Sequence, residues 1–273
     1  MIDRNCRVAF DFDDAVHVGH RDTETIKYSW VYKLKYGPGI NGALRRCLHV
    51  IAGNRTLAEH ALRFNTNVTI IPTVVDLQLY SYQAPREGTD TITIGWVGSR
   101  STSPYLLAIE SALRRLSEVH GKRVRFRTFG DPRRKLAVPD FEAQPFCLAS
   151  EIDDLRTIDV GIMPMPENEW TRGKCGFKAI QYMALGIPSV VSAVGMVSDL
   201  IKHGKNGLVA RTEAEWFSCL DCLVRDAELR RRLSANGRLT VERDYSLQLW
   251  APRFAALLER IVSGGQITDF ATV

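Results

Sequence analysis

From residue 91 onward, short apolar runs alternate with amphipathic helical patterns, and this alternation restricts the fold more than any other feature of the chain. Repeated strand-then-helix order marks parallel βαβ units, because parallel neighbours need a long crossover connection. The spacing predicts strands over 91–97, 124–129, 158–163, 187–192 and 207–210. They read as nearly continuous apolar runs, as in a sheet covered on both faces. Helical patterns fall over about 103–118, 151–156 and 197–203, and another opens near Lys174 and closes at Gly186. Three more, over about 212–225, 226–243 and 246–262, finish the chain. The expected class is α/β, with a doubly wound parallel-sheet domain over 91–245.

The earlier part is thinner. Runs over 6–12, 48–52 and 68–71 suit strands, and Asn54 suits the cap of a helix reaching about Phe64. Residues 15–45 are less regular, with Gly37-Pro38-Gly39 reading as a break. Three strands are half of what a full Rossmann-like domain carries, so residues 1–80 read as a partial, truncated domain. Residues 81–90, Ser-Tyr-Gln-Ala-Pro-Arg-Glu-Gly-Thr-Asp, have linker chemistry. The helix over 246–262 is expected to cross back, and 263–273 reads as a flexible tail.

Composition narrows the partners. A net charge of +5 gives only a weak pull toward anionic substrates or an anionic membrane surface. The arginines sit near acidic residues or on polar helix faces, and no nucleic-acid-binding motif appears. No apolar run approaches the ~20 residues of a membrane-spanning helix, and Met1-Ile2-Asp3-Arg4-Asn5 lacks a charged-then-apolar leader pattern. The six cysteines are scattered, and the one CxxC, Cys219 to Cys222, lies inside a helical pattern. Reduced thiols, a cytoplasmic location and no metal site are expected. The histidines are dispersed, so spacing supports no His-based triad.

The chemistry concentrates in one stretch, from Arg172-Gly173-Lys174-Cys175-Gly176-Phe177-Lys178 to Gly186-Ile187-Pro188. A glycine-broken basic loop that opens a helix offers an anion free N–H groups, the positive dipole end and lysine charge. If the helix starts near Lys174, then Lys174, Lys178 and Gln181 share one face. Phe177, Ile180 and Ala184 would share the face packed on the sheet. Gly173 and Gly176 would leave backbone open to a ligand.

Two further loops join a strand to a helix. Gly98-Ser99-Arg100-Ser101-Thr102 combines small hydroxyl residues with a guanidinium suited to phosphate oxygens. In Ala193-Val194-Gly195-Met196-Val197-Ser198, Gly195 permits close backbone approach. Open α/β sheets bind ligands at such carboxyl-end loops. The candidate site is therefore Gly98, Ser99, Arg100, Lys174, Gly176, Phe177, Lys178, Gln181 and Gly195, and its guest a phosphate, best the diphosphate of an activated sugar. No catalytic residue is assigned.

The order of Ile94-Gly95-Trp96-Val97-Gly98-Ser99, Gly161-Ile162-Met163-Pro164, Trp170-x-Arg172-Gly173-Lys174-Cys175-Gly176-Phe177-Lys178, Gln181-Tyr182-Met183-Ala184-x-Gly186-x-Pro188 and Gly204-x-Asn206-Gly207 resembles the C-terminal domain of family 4 glycosyltransferases of the GT-B fold. Ala52-Gly53-Asn54 and Ile71-Pro72-Thr73-Val74-Val75-Asp76 resemble the end of that family's N-terminal domain. The resemblance implies two Rossmann-like domains and a nucleotide-sugar donor held mainly by the second. It further implies no cofactor or metal, and transfer with retention to a glycan or lipid-linked acceptor; the net positive charge allows peripheral contact at the inner membrane face. The family's signature places two glutamates where this chain has Gly173 and Gln181, and its basic pair is reduced to Arg100. Lys174 or Lys178 is expected to compensate by neutralising the diphosphate.

Two rivals arise from the residues. The departures at Gly173 and Gln181, with the short first half, also suit a non-catalytic nucleotide-sugar-binding protein. A strand ending in Asp11-x-Asp13 resembles the first motif of haloacid-dehalogenase-type phosphatases, with Asp11 as nucleophile, Asp13 as acid/base and Asp153-Asp154 as a thin acidic partner. Acidic residues that end a strand and cap the next element are the commoner reading of that motif.

Overall fold

A computed structural model describes residues 8–18, 38–86, 88 and 90–263. The start of the strand expected over 6–12, Cys6, His20, Gly37 and the tail 264–273 lie outside the described residues. The chain forms two compact units, one of Met1–Val74, Glu167–Cys175 and Leu247–Val273, the other of Val75–Pro166 and Gly176–Ser246.

The second unit holds a six-stranded, wholly parallel sheet. Its strands are β4 (Ile92–Val97), β5 (Val124–Phe129), β6 (Phe141–Gln144), β7 (Val160–Met163), β8 (Ser189–Ser192) and β9 (Leu208–Ala210). Their spatial order is β6-β5-β4-β7-β8-β9. Counted within the unit this is 3-2-1-4-5-6, the doubly wound order, whose direction reverses between β4 and β7. Every residue of β4 is buried, as its apolar sequence demands. One face packs against the helices Glu110–His120 and Glu213–Arg225 through Leu113, Leu116, Leu220 and Leu223. The other packs against the helix Phe177–Leu185 through Ala179, Ile180, Met183 and Ala184.

The structure adds one strand to the expected set and corrects two expectations in this unit. β6 carries no apolar run: it is an edge strand of alternating and mostly half-exposed residues, which propensity does not reveal. The helix expected over 103–118 is a 3-10 segment, Ser103–Ile109, followed by an α-helix, Glu110–His120. Residues 81–86 are no free linker. The Gln83 amide donates to the Leu185 carbonyl at 3.2 Å, and Arg86 grips Asp159 at 2.7 Å. The boundary between units falls earlier, where the Val75 amide already donates to Tyr245 of the second unit.

The first unit contains a three-stranded parallel sheet of β1 (Ala9–Phe12), β2 (His49–Ala52) and β3 (Val68–Ile70), in that order. The Asn54 side chain accepts the Leu57 amide at 3.0 Å and caps the helix Arg55–Ala61. Pro38 opens a helix, Pro38–Arg46, where the sequence suggested a break; proline at a first helical position is compatible with both its fixed φ and its missing N–H. The last helix, Leu247–Ser263, clusters with this unit, and its Leu257 and Ile261 form a small core with Ile51. No helix among the described residues is long and apolar enough to cross a membrane.

Candidate functional site

A cavity of about 440 Å³ opens at the carboxyl ends of β4 and β5, beside the point where strand order reverses. Its floor is made by two backbone segments in contact. The Gly98 amide donates to the Phe129 carbonyl at 2.9 Å, and a Cβ on Gly130 would overlap the Gly98 carbonyl oxygen. Neither position tolerates a side chain. A Cβ on Gly98 would also stand 2.9 Å from the Lys178 Cε, so glycine there lets the lysine stem lie across the loop. The Lys178 ammonium reaches 5.8 Å from the centre of the Trp96 ring, within cation–π range.

Ser99 and Arg100 complete this side of the rim. Ser99 Oγ is 2.8 Å from Ser101 Oγ. The loop is tied down by Ser103, whose hydroxyl donates to Asp131 Oδ2 at 2.6 Å. That hydrogen bond, aided by the Arg134 and Arg100 charges, holds the buried Asp131 carboxyl below the ordinary carboxylate range.

The facing wall is the start of the helix Phe177–Leu185, with Phe177, Lys178 and Gln181 on the cavity. Gly176, at φ 72°, turns the chain into this helix from the left-handed region. The helix therefore begins three residues later than expected, and Lys174 lies outside it. Lys174 belongs to the other unit, where its ammonium sits 3.3 Å from Asp14 Oδ1 and 5.3 Å from the Trp170 ring centre. Phe177 is 41% exposed and faces the cavity rather than packing on the sheet with Ile180 and Ala184.

Gln181 is 2% exposed and locked in a network. Its amide nitrogen donates to Tyr80 Oη at 2.8 Å and to Glu151 Oε1 at 2.9 Å. Tyr80 donates to Glu151 Oε2 at 3.2 Å. Burial pushes the Tyr80 phenol above its ordinary value. With both amide hydrogens engaged in this network, the Gln181 carbonyl oxygen is its remaining polar atom, and Glu151 supplies the carboxylate on this wall. Sequence reasoning missed Glu151, Phe146 and Gly130, which also line the cavity. An acid in the first turn of a helix reads simply as a dipole partner, and nothing periodic marks the other two.

The remaining candidates sit elsewhere. Gly195, at φ 52°, lies in the loop after β8, and neither it nor Gly176 lines the cavity. Gly173 and Gly176 are buried, not open to a ligand. A Cβ on Gly173 would stand 2.6 Å from the Ala15 Cβ, and its carbonyl accepts from Asn54 Nδ2 at 2.8 Å. Packing thus explains that glycine. Asp13 follows β1 in the first unit and accepts the Cys175 thiol on its carbonyl at 3.1 Å, while burial pushes that thiol up to about 11. Asp153 and Asp154 lie in the second unit, so the phosphatase motif is divided between the units. Among the described residues no group of three or more His, Cys, Asp or Glu is placed to hold a metal ion.

A parallel sheet wound 3-2-1-4-5-6 has counterparts among known proteins. Residues 91–226 match the family model of glycosyl transferases group 1. The fold is GT-B. A TarM variant from S. aureus, solved with fondaparinux, alpha-GlcNAc-glycerol and UDP, superposes with a TM-score of 0.71 at 14% identity, over 93% of this chain and 51% of that one. HepE from Anabaena, solved with UDP and glucose, gives 0.68 at 14% identity, over 92% of this chain and 71% of that one. Sucrose-phosphate synthase from Thermosynechococcus elongatus gives 0.68 at 15% identity, over 95% and 69%. In sequence, 64 residues are 40% identical to a D-inositol 3-phosphate glycosyltransferase of Stackebrandtia nassauensis, covering 23% of this chain and 14% of that protein. The chain thus spans about half the length of TarM and a smaller share of the inositol phosphate enzyme.

Proposed function

We propose that the protein transfers a sugar from a nucleoside-diphosphate sugar, bound in the cavity at the carboxyl ends of β4 and β5, to a glycan or lipid-linked acceptor. The observation that carries this reading is the convergence of Lys178 and Arg100 on a glycine-floored cavity at the switch point of a GT-B sheet. As the donor bond breaks, negative charge develops on the diphosphate, and two cations at the rim stabilise that charge more than they stabilise the ground state. Backbone groups at Gly98 and Gly130 suit close approach of the diphosphate. The wall of Gln181 and Glu151, braced by Tyr80, suits ribose or sugar hydroxyls, with Glu151 as acceptor.

The family 4 assignment, retention and chemistry without a cofactor belong to the same proposal and derive from the resemblance; a cytoplasmic site of action, from the scattered cysteines, and contact with the inner membrane face, from the net positive charge, belong to it too. UDP complexes of HepE and TarM favour UDP-sugars as first donors to try. A thermal-shift screen of UDP-, GDP- and ADP-sugars tests the reading, because a bound donor stabilises the native state by mass action. A rise with one base class identifies the donor. Indifference to all three sinks the proposal.

One observation favours a second reading, a nucleotide-sugar-binding protein without transferase activity. Gly173 is closed to any side chain by Ala15 and Leu57, so a carboxylate cannot be restored there without rearrangement. Donor stabilisation with neither sugar transfer nor donor hydrolysis would select it.

A further inference from the structure

A second cavity, of about 380 Å³, opens at the amino edge of the same sheet. Ile92, which begins β4, and Arg123, which precedes β5, both line it. The donor cavity begins at Val97, five residues along β4, so roughly 17 Å of strand separates the two. No residue lines both.

Five arginines face this cavity: Arg86, Arg123, Arg225, Arg230 and Arg231. Three are matched by carboxylates. Arg86 pairs with Asp159 at 2.7 Å, Arg225 with Asp221 at 2.9 Å, and Arg231 with Glu228. Arg123 and Arg230 form no ion pair among the described residues. Arg230 is only 7% exposed. Its Nη1 donates to the Leu223 and Val224 carbonyls, at 2.5 and 3.3 Å, in the last turn of the helix Glu213–Arg225. Two backbone carbonyls thus serve one nitrogen of a fork that carries five N–H donors. A largely buried cation is unfavourable unless an anion answers it. Burial accordingly pushes Arg230 below its ordinary value and Arg123 pushes the same way, while the Asp159 and Asp226 charges oppose them. Arginines on convex helix faces are ordinarily solvated; here five converge on a concavity, and among the described residues Arg123 and Arg230 have no carboxylate within ion-pair distance.

We propose that this cavity binds a phosphate group, carried either by a soluble phosphate ester or diphosphate, or by a lipid headgroup. A phosphate bears about −1.5 to −2 charge at neutral pH and three acceptor oxygens. Its oxygens suit the planar forks of Arg123 and Arg230, and its charge suits a cavity lined by five arginines. Ala227, the first residue of the 18-residue helix Ala227–Asp244, lines the same space and adds the positive end of a helix dipole.

Pyrophosphate titrated calorimetrically into the full chain tests this, in a Lys178→Ala background that weakens anion binding at the other cavity. One saturable site is expected, weakened at least about tenfold by Arg123→Ala and separately by Arg225→Ala. Both side chains are exposed, so unchanged melting temperatures should show that the fold persists. Sedimentation with vesicles of phosphatidic acid in phosphatidylcholine, against phosphatidylcholine alone, separates the two sources. Arg123-dependent sedimentation identifies a lipid headgroup, and pyrophosphate binding without sedimentation identifies a soluble phosphate. Absence of both saturable binding and sedimentation, or binding that both arginine variants leave intact, overturns the proposal.

Discussion

Gln181 stands between two acceptors, Tyr80 Oη and Glu151 Oε1, with its amide nitrogen donating to both. The amide is therefore not an idle replacement for a glutamate. In Gln181→Glu a second carboxylate would face Glu151 in a site 2% exposed, and like charges at this distance repel. We expect Gln181→Glu to cost about 1–3 kcal/mol at pH 7. The loss should shrink as pH falls toward 4, because protonating one carboxyl removes the repulsion. Glu151→Gln in the same chain should restore stability; chemical denaturation of the single and double variants decides it, and an additive double variant would refute the network. Lys178→Ala should leave stability within about 0.5 kcal/mol and weaken nucleotide-sugar binding by about 10- to 100-fold, read by calorimetry. Gly98, Ser99 and Arg100 were legible in the sequence because they follow an apolar strand, and Lys178 because it opens a helix after a glycine-broken loop. Glu151 was not, because its partner Gln181 is thirty positions away and only the fold joins them.

The strands that could be read from sequence are those buried on both faces, such as β4 and β8, where apolar side chains have no alternative. β6 escaped because an edge strand needs only one partner and half a burial surface. The segment 81–86 escaped for a different reason. Its proline and polar residues match a linker, but tertiary contacts override local composition: Tyr82 Oη meets Ser234, and Arg86 closes on Asp159. Asp159 is 7% exposed and also accepts the Thr93 amide at the start of β4. Arg86→Ala would strip the guanidinium from a carboxylate that cannot reach water. Removing one partner of a buried pair costs about 3–5 kcal/mol, and half-exposure of Arg86 lowers our expectation to about 2–3 kcal/mol. Urea unfolding should show the midpoint falling without a change in slope. A shift below about 0.5 kcal/mol would mean that the segment is a passive linker after all.

At the scale of the whole molecule, the two units should respond differently to acid. In the first unit His17 and His60 stack with ring centres 3.6 Å apart, though nothing in their sequence spacing suggested a pair. Burial, with help from the His17 and Arg63 charges, pushes His60 down from 6.5 to about 4. Burial also lowers His17, with Glu169 opposing and Arg63 reinforcing the shift. His17 Nδ1 is buried without a hydrogen-bond partner, so nothing answers a charge placed on it. In the folded state burial disfavours a proton on both rings, whereas in the unfolded chain each takes one near pH 6.5. The unfolded state therefore binds more protons throughout the window from 6.5 to about 4. The stabilisation is fully present above 6.5 and is lost as pH falls toward 4. With the pair only half-buried, the loss should be about 1–2 kcal/mol. Hydrogen exchange between pH 7 and 4.5, corrected for the intrinsic rate, should show protection falling over residues 38–74 while the strands of the six-stranded sheet hold theirs. His60→Gln keeps a polar partner for Asn41 Oδ1 and cannot take the proton, so it should flatten the pH dependence. Equal losses in both units, or a pH profile that His60→Gln leaves unchanged, would show that the stacked histidines do not control acid stability.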